Sequence, residues 1–199
     1  MSEGGIATES ETAGAFAGVP GVVGVVDAHH ETTVVVEPGL LVDAALHLRD
    51  DLGFNFLSDV TAVDYLGWGS AGVSGYLGTP ASSYVSGRDL NLPATQGLQV
   101  LPQAKSKRFA VNYHLLSVSD RPRRVRVQAW VDDGEAVSSV VGVWPTADWH
   151  EREAWDLMGI PFDGHPNLKR ILLDDDWEGH PLRKDYPIGG EPVRFSEEE

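Results

Sequence analysis

Hydrophobic and polar residues change rhythm several times along this chain, and each change marks an element. Val22, Val23, Val25 and Val26 form a short β-branched run and residues 32–36 form another, closed by Glu37-Pro38-Gly39; both read as strands. Leu40, Leu41, Ala44, Ala45, Leu48 and Leu52 then recur at helical spacing, and Gly53 stands where a helix C-terminus favours glycine. An amphipathic helix is expected there. Residues 54–66 (FNFLSDVTAVDYL) return to aromatic and β-branched side chains, which predicts a strand or an irregular strand pair.

Alternation is clearest further on. Phe109, Val111, Tyr113 and Leu115 share one face of a strand, Val125, Val127, Ala129 and Val131 one face of a second, and Val137, Val141 and Val143 one face of a third. Turns at Ser119-Asp120-Arg121-Pro122 and Asp132-Asp133-Gly134 complete an expected meander of three antiparallel strands. Thr146 can cap a helix that begins at Ala147 and ends at Gly159. Beyond it Pro161, Pro166, Pro181 and Pro187 forbid a long helix or a central strand, so the C-terminal third is expected to be extended and draped.

Two segments lack periodicity. Residues 1–20 are rich in Gly, Ala, Ser, Thr and Glu and read as a flexible, disordered leader; residues 67–106 are rich in Gly, Ser and Pro and read as a long insertion ending in Lys105, Lys107 and Arg108. With 199 residues the chain suits one domain, residues 21–188, followed by an acidic tail, 189–199. The net charge of −15 argues against general nucleic-acid binding, which needs a basic face. The absence of cysteine removes disulfides, thiolate catalysis and ordinary iron–sulfur ligation. Neither a signal peptide nor a run long enough to span a bilayer is present, so any membrane association is expected to come through partners.

Candidate chemistry concentrates in residues 151–187. Gly67-Trp68-Gly69-Ser70-Ala71-Gly72 matches a dinucleotide-binding pattern with Asp89 downstream, but Gly75, Gly78 and Pro80 break the helix that the motif requires. His150-Glu151 begins a zinc-protease pattern that fails at Ala154. Glu153 and Asp156 could pair as carboxylates, yet Arg152 stands four before Asp156, where an ion pair is natural, so structural or partner-facing roles are favoured. Asp163-Gly164-His165-Pro166 is nearly repeated as Glu178-Gly179-His180-Pro181, each followed by a basic pair, Lys169-Arg170 and Arg183-Lys184. Glycine and proline aim each imidazole, either as a ligand or proton carrier or, more simply, at a carboxylate or carbonyl at an interface.

The run Glu151-Arg152-Glu153-x-x-Asp156-Leu157-Met158, then His165, Lys169-x-Ile171-Leu172 and DDWEGHPLRKDYP, resembles the signature of the 30 kDa subunit family of respiratory complex I, NADH:quinone oxidoreductase. FAVNYHLLS and VGVWPTADW resemble it too, and the likeness spans roughly residues 30–188. The resemblance implies an α+β fold with a mixed or antiparallel sheet, two main helices and an extended C-terminal arm. It also implies a cofactor-free subunit of the peripheral arm, on the cytoplasmic side of the cell membrane, that clamps the 49 kDa subunit beside the quinone-reducing module. FMN and Fe–S centres would then lie in partner subunits and carry electrons from NADH to quinone in a proton-translocating complex. Glu151, Arg152, Glu153, Asp156, His165, Arg170, Trp177, His180, Arg183, Lys184, Asp185 and Tyr186 carry over as structural and docking positions, none of them catalytic. The 67–106 insertion looks longer than the family pattern, and the chain looks unfused to the 49 kDa subunit. Two other readings remain: the equivalent subunit of a membrane-bound hydrogenase or a ferredoxin- or F420-dependent complex, and an autonomous metal hydrolase built on His150, Glu153, His165 and His180.

Overall fold

The computed structural model describes residues 14–68, 105 and 107–187. Its centre is a five-stranded mixed sheet in the order β1-β2-β5-β4-β3. Strands β1 (Val22–Ala28) and β2 (Glu31–Val36) form a hairpin whose two turn residues, His29 and His30, both have positive φ, 54° and 64°. Two left-handed residues match the right-handed twist of the flanking strands. β2 then pairs in parallel with β5 (Arg123–Val131), while β4 (Phe109–Ser117) joins β5 to β3 (Phe56–Asp64) in antiparallel fashion. The α+β expectation, mixed sheet included, holds.

Helix α1 (Leu41–Asp50) buries Leu41, Ala44, Ala45 and Leu48, four of the positions that the 3.6-residue period marked. Residues 54–66 contain the single strand β3 rather than a pair. Phe109, Val111, Tyr113 and Leu115 of β4 and Val125, Val127, Ala129 and Val131 of β5 are all buried, as alternation required.

The third strand of the meander is a correction. Only β6 (Val137–Ser138) is extended, and it pairs in parallel with β7 (Phe162–Asp163) in a separate two-stranded sheet. Residues 140–144 turn instead, with the Val143 and Trp144 N–H groups both donating to Val140 O at 2.9 Å. A turn also exposes apolar residues with a period near three, and Val137, Val140 and Val143 are buried without a third ladder.

Helix α2 (Ala147–Met158) lies where expected and ends at Gly159, whose φ of 70° is the left-handed cap that glycine permits. Thr146, however, is helical itself and its side chain caps nothing. The preceding turn runs straight into the helix, with Ala147 N–H on Trp144 O and Asp148 N–H on Pro145 O, so a capping side chain has no gap to fill. The leader expectation also needs correcting at its end. Phe16 and Val19 are buried, and the Phe16 ring lies 6.2 Å from that of Phe54. Residues 1–13 of the expected leader, nearly all of the 67–106 insertion, the Gly69 to Gly72 part of the nucleotide-like loop, and the tail lie outside the described residues.

Candidate functional site: a clasp around the second helix

Helix α2 carries four of the twelve signature residues, Glu151, Arg152, Glu153 and Asp156, and the arm that follows carries the other eight and closes on it. An α-helix leaves its last carbonyls without intrahelical partners. Here the arm supplies them. His180 Nδ1 lies 2.8 Å from Asp156 O, the Leu182 N–H donates to Leu157 O at 3.0 Å, and Arg183 Nε donates to Met158 O at 2.6 Å. Cationic and N–H groups at a helix C-terminus also suit its dipole. The other copy of the near repeat grips the first turn: His165 Nε2 lies 3.2 Å from Asp148 O, and its Nδ1 accepts the Asn167 N–H at 3.0 Å, which places the proton of the neutral ring on Nε2. Both repeats turn on a glycine of positive φ, Gly164 at 79° and Gly179 at 85°. The two histidines are therefore aimed, as the Gly–His–Pro pattern indicated, at backbone carbonyls at opposite ends of one helix.

Asp156 is fully buried and is the hub of the clasp. Its Oδ2 accepts the N–H groups of Ile171, Leu172 and Leu173, and Arg170 Nη1 donates to Oδ1 at 2.6 Å. Burial alone would raise its pKa, but the three backbone N–H groups and Arg170 outweigh it and hold the carboxyl down at about 2. Arg170 goes on to donate to Trp177 O at 2.9 Å. The expected Arg152–Asp156 pair does not form. Arg152 instead donates to Lys169 O and Arg170 O and lies over the Trp149 ring, bracing the same loop from outside.

Glu151 is equally buried, on the other side of the helix, where it captures Ser139 Oγ (2.6 Å) and the Val140 N–H (2.8 Å). Burial pushes its pKa up to about 7, against the lowering effect of those two hydrogen bonds. The buried Tyr113 hydroxyl is pushed well up as well, by burial and then by the Glu151 charge, and it has no partner among the described residues. Glu153, between these two acids in sequence, is exposed.

The end of the arm is pinned by charge. Arg108 bridges Asp64 (Nη2–Oδ2 2.8 Å) and Asp185 (Nη2–Oδ1 2.7 Å), and the Lys184 N–H donates to Asp64 Oδ2 at 2.9 Å. Asp64 is buried, yet Arg108 and the N–H groups of Lys184 and Leu66 keep its pKa below the ordinary range despite desolvation. Arg183 reaches Asp133 at 2.9 Å, while the Lys184 side chain is exposed. Tyr186 packs against Gly179, where a Cβ would stand 2.9 Å from its ring. Residues 159–187 are thus extended as expected, but lie over their own domain. Arg108, Asp64 and Asp133 of this network, and Ser139 on Glu151, were not among the site residues expected from the sequence; a charged residue at a core position of β3 was the one available signal for Asp64.

His150 faces Asp59, His165 faces Asp148, and His180 caps the helix, so the side chains of the hydrolase reading face different partners. Among the described residues no three His, Asp or Glu groups gather to hold a metal ion.

Comparison with known proteins meets this geometry on the same residues. The family described as "Respiratory-chain NADH dehydrogenase, 30 Kd subunit" matches residues 34–192. The NADH-quinone oxidoreductase C subunit of Vesicomyosocius okutanii is 42% identical over 180 residues, covering 89% of this chain and 83% of the relative. Its namesake from Xanthomonas campestris pv. campestris strain B100 is 39% identical over 212 aligned positions, covering 100% of this chain and 83% of the relative. A solved structure, the Nqo5 trypsin-resistant fragment, superposes with a TM-score of 0.51 at 26% identity, covering 73% of this chain and 89% of that one. A match that runs from β2 through the clasp and past the end of the arm, together with the shared fold, makes this chain a member of the 30 kDa subunit family of the respiratory-chain NADH-quinone oxidoreductases.

Proposed function

We propose that the chain is a cofactor-free structural subunit of the peripheral arm that docks on the 49 kDa-type subunit of its complex. It would lie on the cytoplasmic side of the membrane and reach that membrane only through partners; no helix among the described residues is long and apolar enough to cross a bilayer. Electrons would pass from NADH through FMN and Fe–S centres in other subunits to a quinone, with proton translocation carried out elsewhere in the complex. The chain has no cysteine with which to hold a cluster in the ordinary way.

The observation that carries the docking reading is apolar exposure on the clasp. Trp149, Leu172 and Leu182 stand 62%, 60% and 53% exposed on a helix and arm that Asp156, Arg170 and His180 tie together by hydrogen bonds. A segment held rigid while presenting large apolar side chains fits a preorganised interface, where little conformational entropy remains to be lost. A permanent subunit of this kind should bury more than about 2,000 Å² against its partners.

The test is affinity purification of the tagged chain from membranes, followed by mass spectrometry. Recovery of a 49 kDa-type subunit with the chain is the expected result. Recovery of the chain alone, from membranes whose NADH:quinone activity is intact, would overturn the reading.

A further inference from the structure

Sheet edges are liabilities, because a row of unpaired N–H and C=O groups invites another strand; proteins usually blunt them with Lys, Pro or bulges. β3 is one edge of the sheet. Its register with β4 is continuous from Asp59 to Asp64 after a bulge at its start, and the run Asp59 to Val63 contains no Lys, Arg or Pro. No second strand pairs with it among the described residues.

A groove of about 200 Å³ runs beside it. One wall is Asp59, Val60, Thr61 and Ala62, and the other includes Glu153 and Leu157 of α2. Successive strand residues point to opposite faces, so four in a row can line one groove only along the strand's backbone edge. Leu182, itself 53% exposed, closes one side. The charged side chains of the lining are two acids, Asp59 and Glu153, with no Lys or Arg among them. His150 faces Asp59, and Glu153 is exposed.

We propose that this groove is a strand-addition site, in which the free edge of β3 receives an extended, Lys- or Arg-bearing segment of a neighbouring subunit. Main-chain hydrogen bonds to β3 would hold the segment, its small apolar side chains would meet Leu157 and Leu182, and its cations would meet Asp59 and Glu153. The inference deepens the docking reading above and rests on it.

The experiment uses the assembled complex in its native membrane. A photoreactive amino acid at Thr61 is expected to cross-link to a partner subunit, within an extended segment carrying Lys or Arg. Glu153→Lys, on an exposed side chain, is expected to lower incorporation of the chain about tenfold, and a Lys-to-Glu change at the cross-linked partner position is expected to restore it. Adducts confined to this chain, residues 69–104 included, or adducts to a helix or to a segment without cations, would overturn the groove. So would unchanged incorporation of Glu153→Lys. A chain that co-purifies normally while these results fail defeats the groove alone; a wild-type chain that recovers no peripheral-arm subunit defeats the docking reading itself.

Discussion

Glu151 and Asp156 lie on one helix, five positions apart and both fully buried, yet their environments drive them in opposite directions. Glu151 has two hydrogen bonds and no cation; Asp156 has three backbone N–H groups and Arg170. For Glu151 the folded-state pKa is raised from its ordinary 4.5 to about 7, so the folded chain binds the proton more tightly than the unfolded one. Its contribution to stability therefore falls as pH rises across that window, by about 3 kcal/mol in all. Glu151→Gln keeps an acceptor for the Val140 N–H and removes the titration. Urea unfolding between pH 5 and 8 should show wild type losing stability relative to this variant; parallel pH profiles would show that Glu151 does not titrate in the window. Asp156 has the opposite sign, since a depressed pKa adds stability that is complete above its ordinary range and lost as pH falls toward about 2. Asp156→Ala should cost about 3 kcal/mol, because Arg170 and three N–H groups lose their acceptor. A urea midpoint within error of wild type would contradict that. These identities were legible in sequence, but their partners were not. Spacing rules see neighbours on one helix, so Arg152 looked like the partner of Asp156, whereas Arg170 reaches it across a loop.

Elements show the same division. The strands β4 and β5, helix α1 and the C-terminal end of α2 followed from periodicity and glycine, because one face of each is buried against one core. The third strand of the expected meander failed because Val137 to Val143 carries valines three apart as well as two apart, so the run can face the core as a turn as well as a strand, and Glu151 rewards the turn by accepting the Val140 N–H. The clasp shows how two elements fix one another. Gly159 ends α2 in the left-handed region, and a Cβ there would stand 2.5 Å from the His180 ring and 2.9 Å from Arg183 Nη2. Gly159→Ala therefore combines backbone strain with a clash and should cost about 2 kcal/mol or more. The damage should be local: limited proteolysis is expected to cut residues 164–187 sooner in this variant than in wild type, while the five-stranded sheet still unfolds cooperatively. Equal cleavage rates would mean that the arm is held by contacts other than the clasp at Gly159.

Across the whole molecule the arm has two tasks that neighbouring cations separate. Arg183 is turned inward, onto Met158 O, Gly159 O, Asp133 and the face of Phe109. The ammonium of Lys184 is exposed and has no partner among the described residues, although its backbone N–H is held by Asp64. On a chain of net charge −15, the docking reading proposed above assigns this outward cation to an acidic group of another subunit. The two substitutions should then divide. Arg183→Ala is expected to destabilise the isolated chain by about 2 kcal/mol, since two helix-end carbonyls and Asp133 lose their donor, and to weaken assembly as a consequence. Lys184→Ala should leave the urea midpoint of the isolated chain within about 0.5 kcal/mol of wild type, as exposed changes usually do. It should nonetheless reduce the chain found in the intact complex on a native gel, most clearly at low ionic strength, because the surface contact it removes is itself screened within about 10 Å at ordinary salt. Normal incorporation of Lys184→Ala at both low and high salt would assign the arm's cations to the stability of this domain alone.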